Sequence, residues 1–374
     1  MKILVVCTGN RCRSQMAHGI LQHLNPTWHV CSAGTQPAAE VHPRGIKVMQ
    51  EIGIDISHHY PKSIEQYLGE EWDYVITVCG GAKEKCPVFT GKVAHRLHIG
   101  FDDPDAFRGT EEEVLPEFRR VRDEIMAKMQ AFAETLALRE AILTRRSVRK
   151  YIDRPIDAAL MSKLQEKVDE VNADGGLHIQ LVTNEPRAFK GKMAYGTFSG
   201  VSNYFAMVGT RSDDLSERIG YYGEKLVLLA QSLGLNTCWV GLTYNNIKEA
   251  YEKAPDEKLC CMIALGYGDD AGRNLKRKTV DDVSGVAPSA ESSSAQAVNA
   301  FPAWFRRGVE AAILAPTAVN QQKFFFTYLG PDAEGVHRVR AERRFSLIGY
   351  TKMDLGIAKL HFELGAGREN FEWE

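Results

Sequence analysis

Cys7 closes a short apolar run, and Arg13 follows it six residues later, in VVCTGNRCRSQM over residues 5–16. Lys2 to Val6 is too short to be anything but a buried strand, while Met16, Ile20 and Leu24 recur at helical spacing, so Cys7 sits on a strand-loop-helix turn. On such a turn the backbone N–H groups from Thr8 through Gly9, Asn10, Arg11 and Cys12 point inward. The helix that starts near Ser14 adds its positive end, and Arg13 supplies a planar fork, which together suit a tetrahedral oxyanion. The same positive field is expected to lower the thiol pKa of Cys7, so that a thiolate faces the anion. Gly9 and Asn10 fit the positive-φ corners that such a loop requires. A buried strand-end cysteine beside a surface arginine is the plainer reading, but it leaves the spacing, the small residues and the helix start unconnected.

Other residues carry chemistry further along. VITVCGGAKEKCPVF, residues 75–89, puts Cys79 at a strand end and Cys86 seven residues on, across a Gly-rich segment. They form a thiol pair, or else two buried cysteines acting as small hydrophobes. TRRSVRKY, residues 144–151, gathers cations around Ser147 ahead of a helical segment, which is a cradle for a ligand phosphate or simply a solvated charge run. None of the eight cysteines has zinc-type spacing to partner histidines, so no metal is expected. Cys12 and Cys31 are assigned to packing, and His18, His58, His59 and His95 to surface or satisfied positions.

The elements that must position these residues follow from the wider pattern. A chain of 374 residues is long enough for about two domains, each with its own core. With 44% hydrophobic and 25% charged residues and a net charge of -2, nothing argues for nucleic acid or a membrane surface as partner. Without a spanning run or leader signature, the chain reads as cytoplasmic. Residues 1–138 alternate short strands with amphipathic helices, which predicts a small parallel sheet with helices on both faces and ligands at its carboxyl edge. ALREAILTRR, at the junction, lacks Gly, Pro and Ser and predicts a stiff helical joint. Beyond it, LHIQLVT, NYFAMVG, TCWVGLT and CCMIALGYG read as strands around a helix at 220–234, and SGVAPSAESSSAQAVNA as a linker. REAILTRRSVRKY is echoed by VEAAILAPTAVNQQ, and GEKLVLLAQSLGL by DLGIAKLHFELGA. Residues 139–374 therefore read as an α+β domain of two half-repeats, 139–283 and 300–374.

Three segments of the first domain carry a family resemblance: CTGNRCRSQMAHG, SAGT at 32–35 and FDDPDAF at 101–107. The domain resembles the low-molecular-weight phosphotyrosine-phosphatase superfamily and, within it, the thioredoxin-coupled arsenate reductases. The resemblance implies Asp103, before Pro104, as general acid, and Cys79 and Cys86 distinguish a reductase from a phosphatase. It implies that Cys7 attacks arsenate, Cys79 attacks Cys7, and Cys86 carries the disulfide outward to thioredoxin. Ser14 is expected to hydrogen-bond Cys7. A protein tyrosine phosphatase remains the alternative.

The second domain resembles the nitroreductase flavoproteins, of the kind built as a single-chain pseudo-dimer. Carried over, Arg145, Arg146, Ser147 and Arg149 would hold the phosphate and ribityl of FMN. Gly241 and Leu242 in VGLTY would face the ring, as would Pro316, Thr317 and Asn320 in APTAVNQQ. Lys276 and Lys278 would lie near the phosphate, or else in solvent. NADH or NADPH is the implied reductant, and the flavin could in turn feed the first domain's disulfide. The competing possibility is a redox-silent scaffold.

Overall fold

The computed structural model describes residues 1–80, 88–190, 198–270, 272, 275–287 and 301–374. Internal contacts divide the chain into two units, Met1–Leu136 and Ala137–Glu374.

The first unit is built on strands β1 (Lys2–Cys7), β2 (His29–Gly34), β3 (Trp72–Thr77) and β4 (Val93–His98), in the order β2-β1-β3-β4 with every pairing parallel. Ile3, Leu4, Val5 and Val6 are fully buried, as a central parallel strand covered on both faces requires. The covering helices are α1 (Arg13–Leu24), α2 (Pro43–Gln50) and α3 (Glu111–Thr144). Val114, Phe118, Val121, Ile125 and Met129 form the buried stripe of α3 at helical spacing. This helix continues unbroken through the residues where the two units divide, so the junction is helical.

Among the described residues, the second unit holds two four-stranded sheets. One contains β5 (Gln180–Val182), β6 (Asn203–Thr210), β7 (Asn236–Val240) and β8 (Glu257–Gly266), in the order β5-β6-β8-β7 and antiparallel throughout. The other contains β9 (Ser284–Val286), β10 (Phe324–Pro331), β11 (His337–Arg343) and β12 (Glu372–Trp373), in the order β12-β11-β10-β9. Helices α4 (Ala158–Gly175), α5 (Leu215–Ser232), α6 (Val280–Val283), α7 (Ala303–Ile313) and α8 (Thr351–Ala366) complete the unit. A β-carbon on Gly220 would fall 2.1 Å from Met353 O, and one on Gly356 2.0 Å from Glu217 O, so these glycines are what let α5 and α8 cross closely. The fold is therefore a parallel α/β unit followed by an α+β unit.

One expectation is corrected. The stretch read as a linker opens with a strand, because β9 pairs in parallel with β10 through Ser284, Gly285 and Val286. Ser284 and Gly285 look like linker residues, yet the edge of the sheet supplies their backbone partners. Residues 288–300 lie outside the described residues.

Candidate functional site

The loop after β1 is held from outside by its carbonyls. Cys7 O, Thr8 O, Gly9 O and Arg11 O accept from the N–H groups of Thr35 (3.2 Å), Gln36 (2.9 Å), Ala38 (2.8 Å) and His42 (2.7 Å). Among the described residues, the N–H groups of Gly9, Arg11 and Cys12 donate to nothing in the chain, the arrangement of an anion nest. Gly34 in SAGT is what allows the approach, since a β-carbon there would meet Thr8 O at 2.6 Å. Asn10 takes φ +46°, which its bonds hold in place: Nδ2 donates to Ser14 Oγ (2.9 Å), Oδ1 accepts from Lys62 N (2.8 Å), and O accepts from Gln15 Nε2 (2.8 Å). Gly9, expected at the other positive-φ corner, is not at positive φ; Asn10 alone makes that turn.

Cys7 is buried at the floor of this loop. Its Sγ accepts from Asn10 N at 3.1 Å and lies 2.9 Å from Ser14 Oγ. Because Ser14 Oγ already accepts from Asn10 Nδ2, its own hydrogen is free for the sulfur. The expected fall in the Cys7 pKa is corrected: burial pushes the thiol up, and the hydrogen bonds from Ser14 and Asn10 oppose this without reversing it. Cys79 is also buried, with Sγ 3.4 Å from Thr8 Oγ1, so both sulfurs flank the start of the loop. Cys86 lies outside the described residues. Cys12 is buried at the N-cap of α1, and its thiol is also pushed up by burial.

The acid loop is clamped onto this cradle. Arg13 Nη2 donates to Asp103 Oδ2 at 2.7 Å and Nη1 to Phe101 O at 3.0 Å, while Asp103 Oδ1 accepts from Asp105 N. Sequence reading missed the second half of the clamp, in which Asp105 accepts from Arg11 Nη1 at 3.2 Å and from His42 Nε2 at 3.0 Å. His42 Nδ1 accepts from Arg44 N, which places the ring proton on Nε2, and burial holds this imidazole below its usual range. A second missed network lies behind the loop. His59 Nδ1 and Ser32 Oγ both reach Gln15 Oε1, His18 Nδ1 reaches Ser32 Oγ, and the His18 and His59 rings stack at 4.3 Å. Burial lowers His18 to about 3 and His59 to about 4, so both are neutral. Their spacing in the sequence carried no signal for this.

In the second unit, a cavity of about 250 Å³ brings together Ser147, Arg149, Gly241, Leu242, Pro316 and Thr317 of the expected residues. Its walls include Val240, Ile348, Met353 and Ile357. Gly241 lies under Tyr350, whose ring a β-carbon would meet at 2.7 Å, and Tyr350 Oη donates to Gly241 O at 3.0 Å. The arginine stretch is pinned by Asp270, which accepts from Arg149 N and Lys150 N. Arg145 is buried; Nη2 donates to Ser147 Oγ at 3.1 Å, and Nε is without a partner among the described residues. Burial lowers its pKa and Glu224 opposes this. Arg277, not singled out from sequence, is lowered first by burial and then by the nearby charges of Arg145 and Arg146.

Arg145, Arg146, Lys276, Lys278 and Asn320 are not among the lining residues. Arg146 Nη1 bonds Leu143 O and Arg145 O, Asn320 Nδ2 bonds Lys276 O at 2.7 Å, and Lys278 Nζ bonds Gln322 O at 2.7 Å. Asn320 and the two lysines thus brace the loop that follows Thr317. That loop is strained, with Val319 at φ +46°, Asn320 at +57° and Gln322 at +46°. Buried Asp354 holds it, accepting from Ala318 N at 2.9 Å and Gln321 Nε2 at 2.7 Å; burial raises this carboxyl to about 6.

The family model described as "Putative TM nitroreductase" matches residues 137–366. The chain belongs to that family. Its first unit is that of a second family, "Low molecular weight phosphotyrosine protein phosphatase", which matches residues 2–141. Arsenate reductases of Halalkalibacterium halodurans and Bacillus subtilis are 48% and 47% identical to this nitroreductase-family chain over 134 residues, covering 36% of it and 95% of each relative. A solved structure of a putative nitroreductase from Thermotoga maritima is 23% identical, covering 62% of this chain and 84% of that one, with a TM-score of 0.38. The nitroreductase-family member is thus a fusion enzyme, with a phosphatase-like first domain whose relatives are arsenate reductases. No helix among its described residues is long and apolar enough to cross a membrane.

Proposed function

We propose that the first unit reduces arsenate to arsenite and passes the resulting disulfide to thioredoxin in the cytoplasm. The observation that carries this reading is the setting of two sulfurs at one anion nest, Cys7 within it and Cys79 against Thr8. A phosphate ester needs the first thiol but has no use for the second. Cys7 thiolate attacks arsenic while the loop amides and Arg13 hold the oxygens, and Asp103 protonates the oxygen that leaves as water. Arg13 must therefore exchange its bond to Asp103 for the substrate, which frees the carboxyl at the moment it is needed. Cys79 thiolate then attacks Cys7 Sγ. The arsenic–sulfur electron pair stays on arsenic, arsenite departs, and Cys7 and Cys79 are joined. Cys86 next displaces Cys7 from Cys79, and thioredoxin reduces the Cys79–Cys86 disulfide. Arsenite formed by purified protein, with a thioredoxin system as the sole reductant, tests this. Hydrolysis of p-nitrophenyl phosphate without any arsenite would favour the phosphatase.

We read the second unit as an FMN-binding oxidoreductase served by NADH or NADPH, built from halves 139–283 and 300–374. Support comes from buried Arg145, whose Nε is without a partner among the described residues and whose Nη2 bonds Ser147, a lining residue of the cavity with apolar walls. When bound, FMN supplies two-electron transfer. Arg145, Ser147 and Arg149 would hold its phosphate and ribityl, with Arg146 and Arg277 adding positive charge. The Gly241–Leu242 backbone and the Pro316–Thr317 edge orient the ring. The repeated helices are α5 and α8, which carry the echoed segments. A yellow preparation that loses its colour on Arg149→Ala supports this reading, and a protein that stays colourless with added FMN supports the scaffold.

A further inference from the structure

A second cavity in the same unit, of about 470 Å³, has a different character. Its lining includes Lys258, Arg343, Lys352, Ser216 and Thr351, and no carboxylate among the described residues. Tyr350 and Met353 line both cavities, so the two share a wall. Lys258 and Arg343 are exposed, and among the described residues neither is paired with an acid. Lys352 Nζ is aimed by a bond to Asp213 O at 2.7 Å. On the neighbouring helices, Asp214 is taken by Arg218 at 3.0 Å and Glu217 by Lys359 at 2.9 Å, so neither is free to neutralise the cluster. Burial pushes the thiol of Cys260 up, and Lys258 and Arg211 oppose it, which marks Arg211 as a fourth cation in range.

Helices α5 and α8 both begin at this cavity, presenting Ser216 from one first turn and Thr351 and Lys352 from the other. The positive helix ends favour an anion there, in addition to the side chains. Three like charges converging on one hollow repel one another unless an anion joins them. Phosphoryl oxygens suit the set, with Arg343 as a fork and the lysines as point charges.

We propose that this second cavity binds the phosphate-bearing end of a ligand whose flat, less polar end enters the first cavity past Tyr350, the build of a nicotinamide dinucleotide. The choice of that ligand rests on reading the first cavity as a flavin pocket, whereas the anion site stands on its own cations. The test uses 2′,5′-ADP, ADP and inorganic pyrophosphate, none of which carries a nicotinamide. Each is titrated calorimetrically into the full chain and into Lys258→Ala, Arg343→Ala and the double variant, and FMN is titrated separately into all four. At least one nucleotide binds the unmodified protein, each single substitution weakens it roughly tenfold, and the double substitution removes it. FMN affinity stays unchanged, because neither residue lines the first cavity. Preference for 2′,5′-ADP assigns the cations to a 2′-phosphate, and equal binding of ADP assigns them to the pyrophosphate. Nucleotide binding that survives the double substitution, or no binding of any of the three, overturns the proposal. Failure of FMN to bind the unmodified protein would remove the flavin reading alone, and the nucleotide titrations would still decide the anion site.

Discussion

Cys7 illustrates how two opposing effects meet at one atom. Burial raises its thiol, and the donors Ser14 Oγ and Asn10 N are what make a thiolate attainable. Cys7→Ser and Arg13→Ala should each abolish arsenate reduction, the first by removing the nucleophile and the second the oxyanion clamp; near-normal turnover by either would sink the loop assignment. Asp103→Asn should slow the reaction by roughly two to four orders of magnitude while arsenate binding changes little, the range expected when a positioned acid is lost. An unchanged rate would move the acid to Asp102, which accepts from Arg120, or to Asp105, whose oxygens face Arg11 and His42. Cys86→Ser should release arsenite for roughly one turnover and then stall as a Cys7–Cys79 disulfide, visible by mass spectrometry.

The element that behaves as a device is the strained loop between Thr317 and Gln322. A β-branched residue at positive φ, such as Val319, persists only where its surroundings over-determine it, and Asp354 is the anchor. Its folded pKa, about 6, lies above the ordinary aspartate value of 3.8. Between those values the folded state keeps a proton that the unfolded chain has lost, so this group favours folding fully below pH 3.8, and the contribution disappears as pH rises towards 6. Asp354→Asn should flatten the fall in unfolding free energy across that window, as read by urea titration at a series of pH values. Asn keeps the oxygen that accepts from Ala318 N and carries no charge to bury. The crossing of α5 and α8 is a second element-scale feature. Gly356→Ala should cost about 1–3 kcal/mol, the usual range for overpacking, because Glu217 O has no room to retreat within a helix. A melting temperature equal to that of the unmodified protein would contradict the close crossing.

At the scale of the whole molecule, a domain whose relatives are arsenate reductases is fused to one of a nitroreductase family, and the proposed function has both move electrons. If the thiol relay is self-sufficient, arsenite production with a thioredoxin system should persist in Arg145→Ala and Arg149→Ala, even when neither variant binds FMN. Turnover supported by NADPH alone in the FMN-loaded protein, and lost in those variants, would instead show that the flavin feeds the Cys79–Cys86 disulfide.

Much of the parallel unit was legible in the sequence because its signals are local. Ile3 to Val6 can only be a buried strand, the recurrence of Val114, Phe118, Val121 and Ile125 can only be one helix face, and the mostly small or polar residues between Cys7 and Arg13 leave the backbone free to face an anion. Long-range packing decided what the sequence could not carry. The clamp of Asp105 on Arg11 and His42, and the stack of His18 on His59, join residues tens of positions apart whose spacing has no period to detect. The pKa of Cys7 depended on burial, a property of the whole packed unit, and the local field alone pointed the wrong way. No sequence pattern singles out Asp354, and only the fold that brings Ala318 and Gln321 onto it makes it an anchor. Side-chain type and local period are written along the chain, whereas desolvation and the pairing of distant groups exist only once the chain has closed on itself.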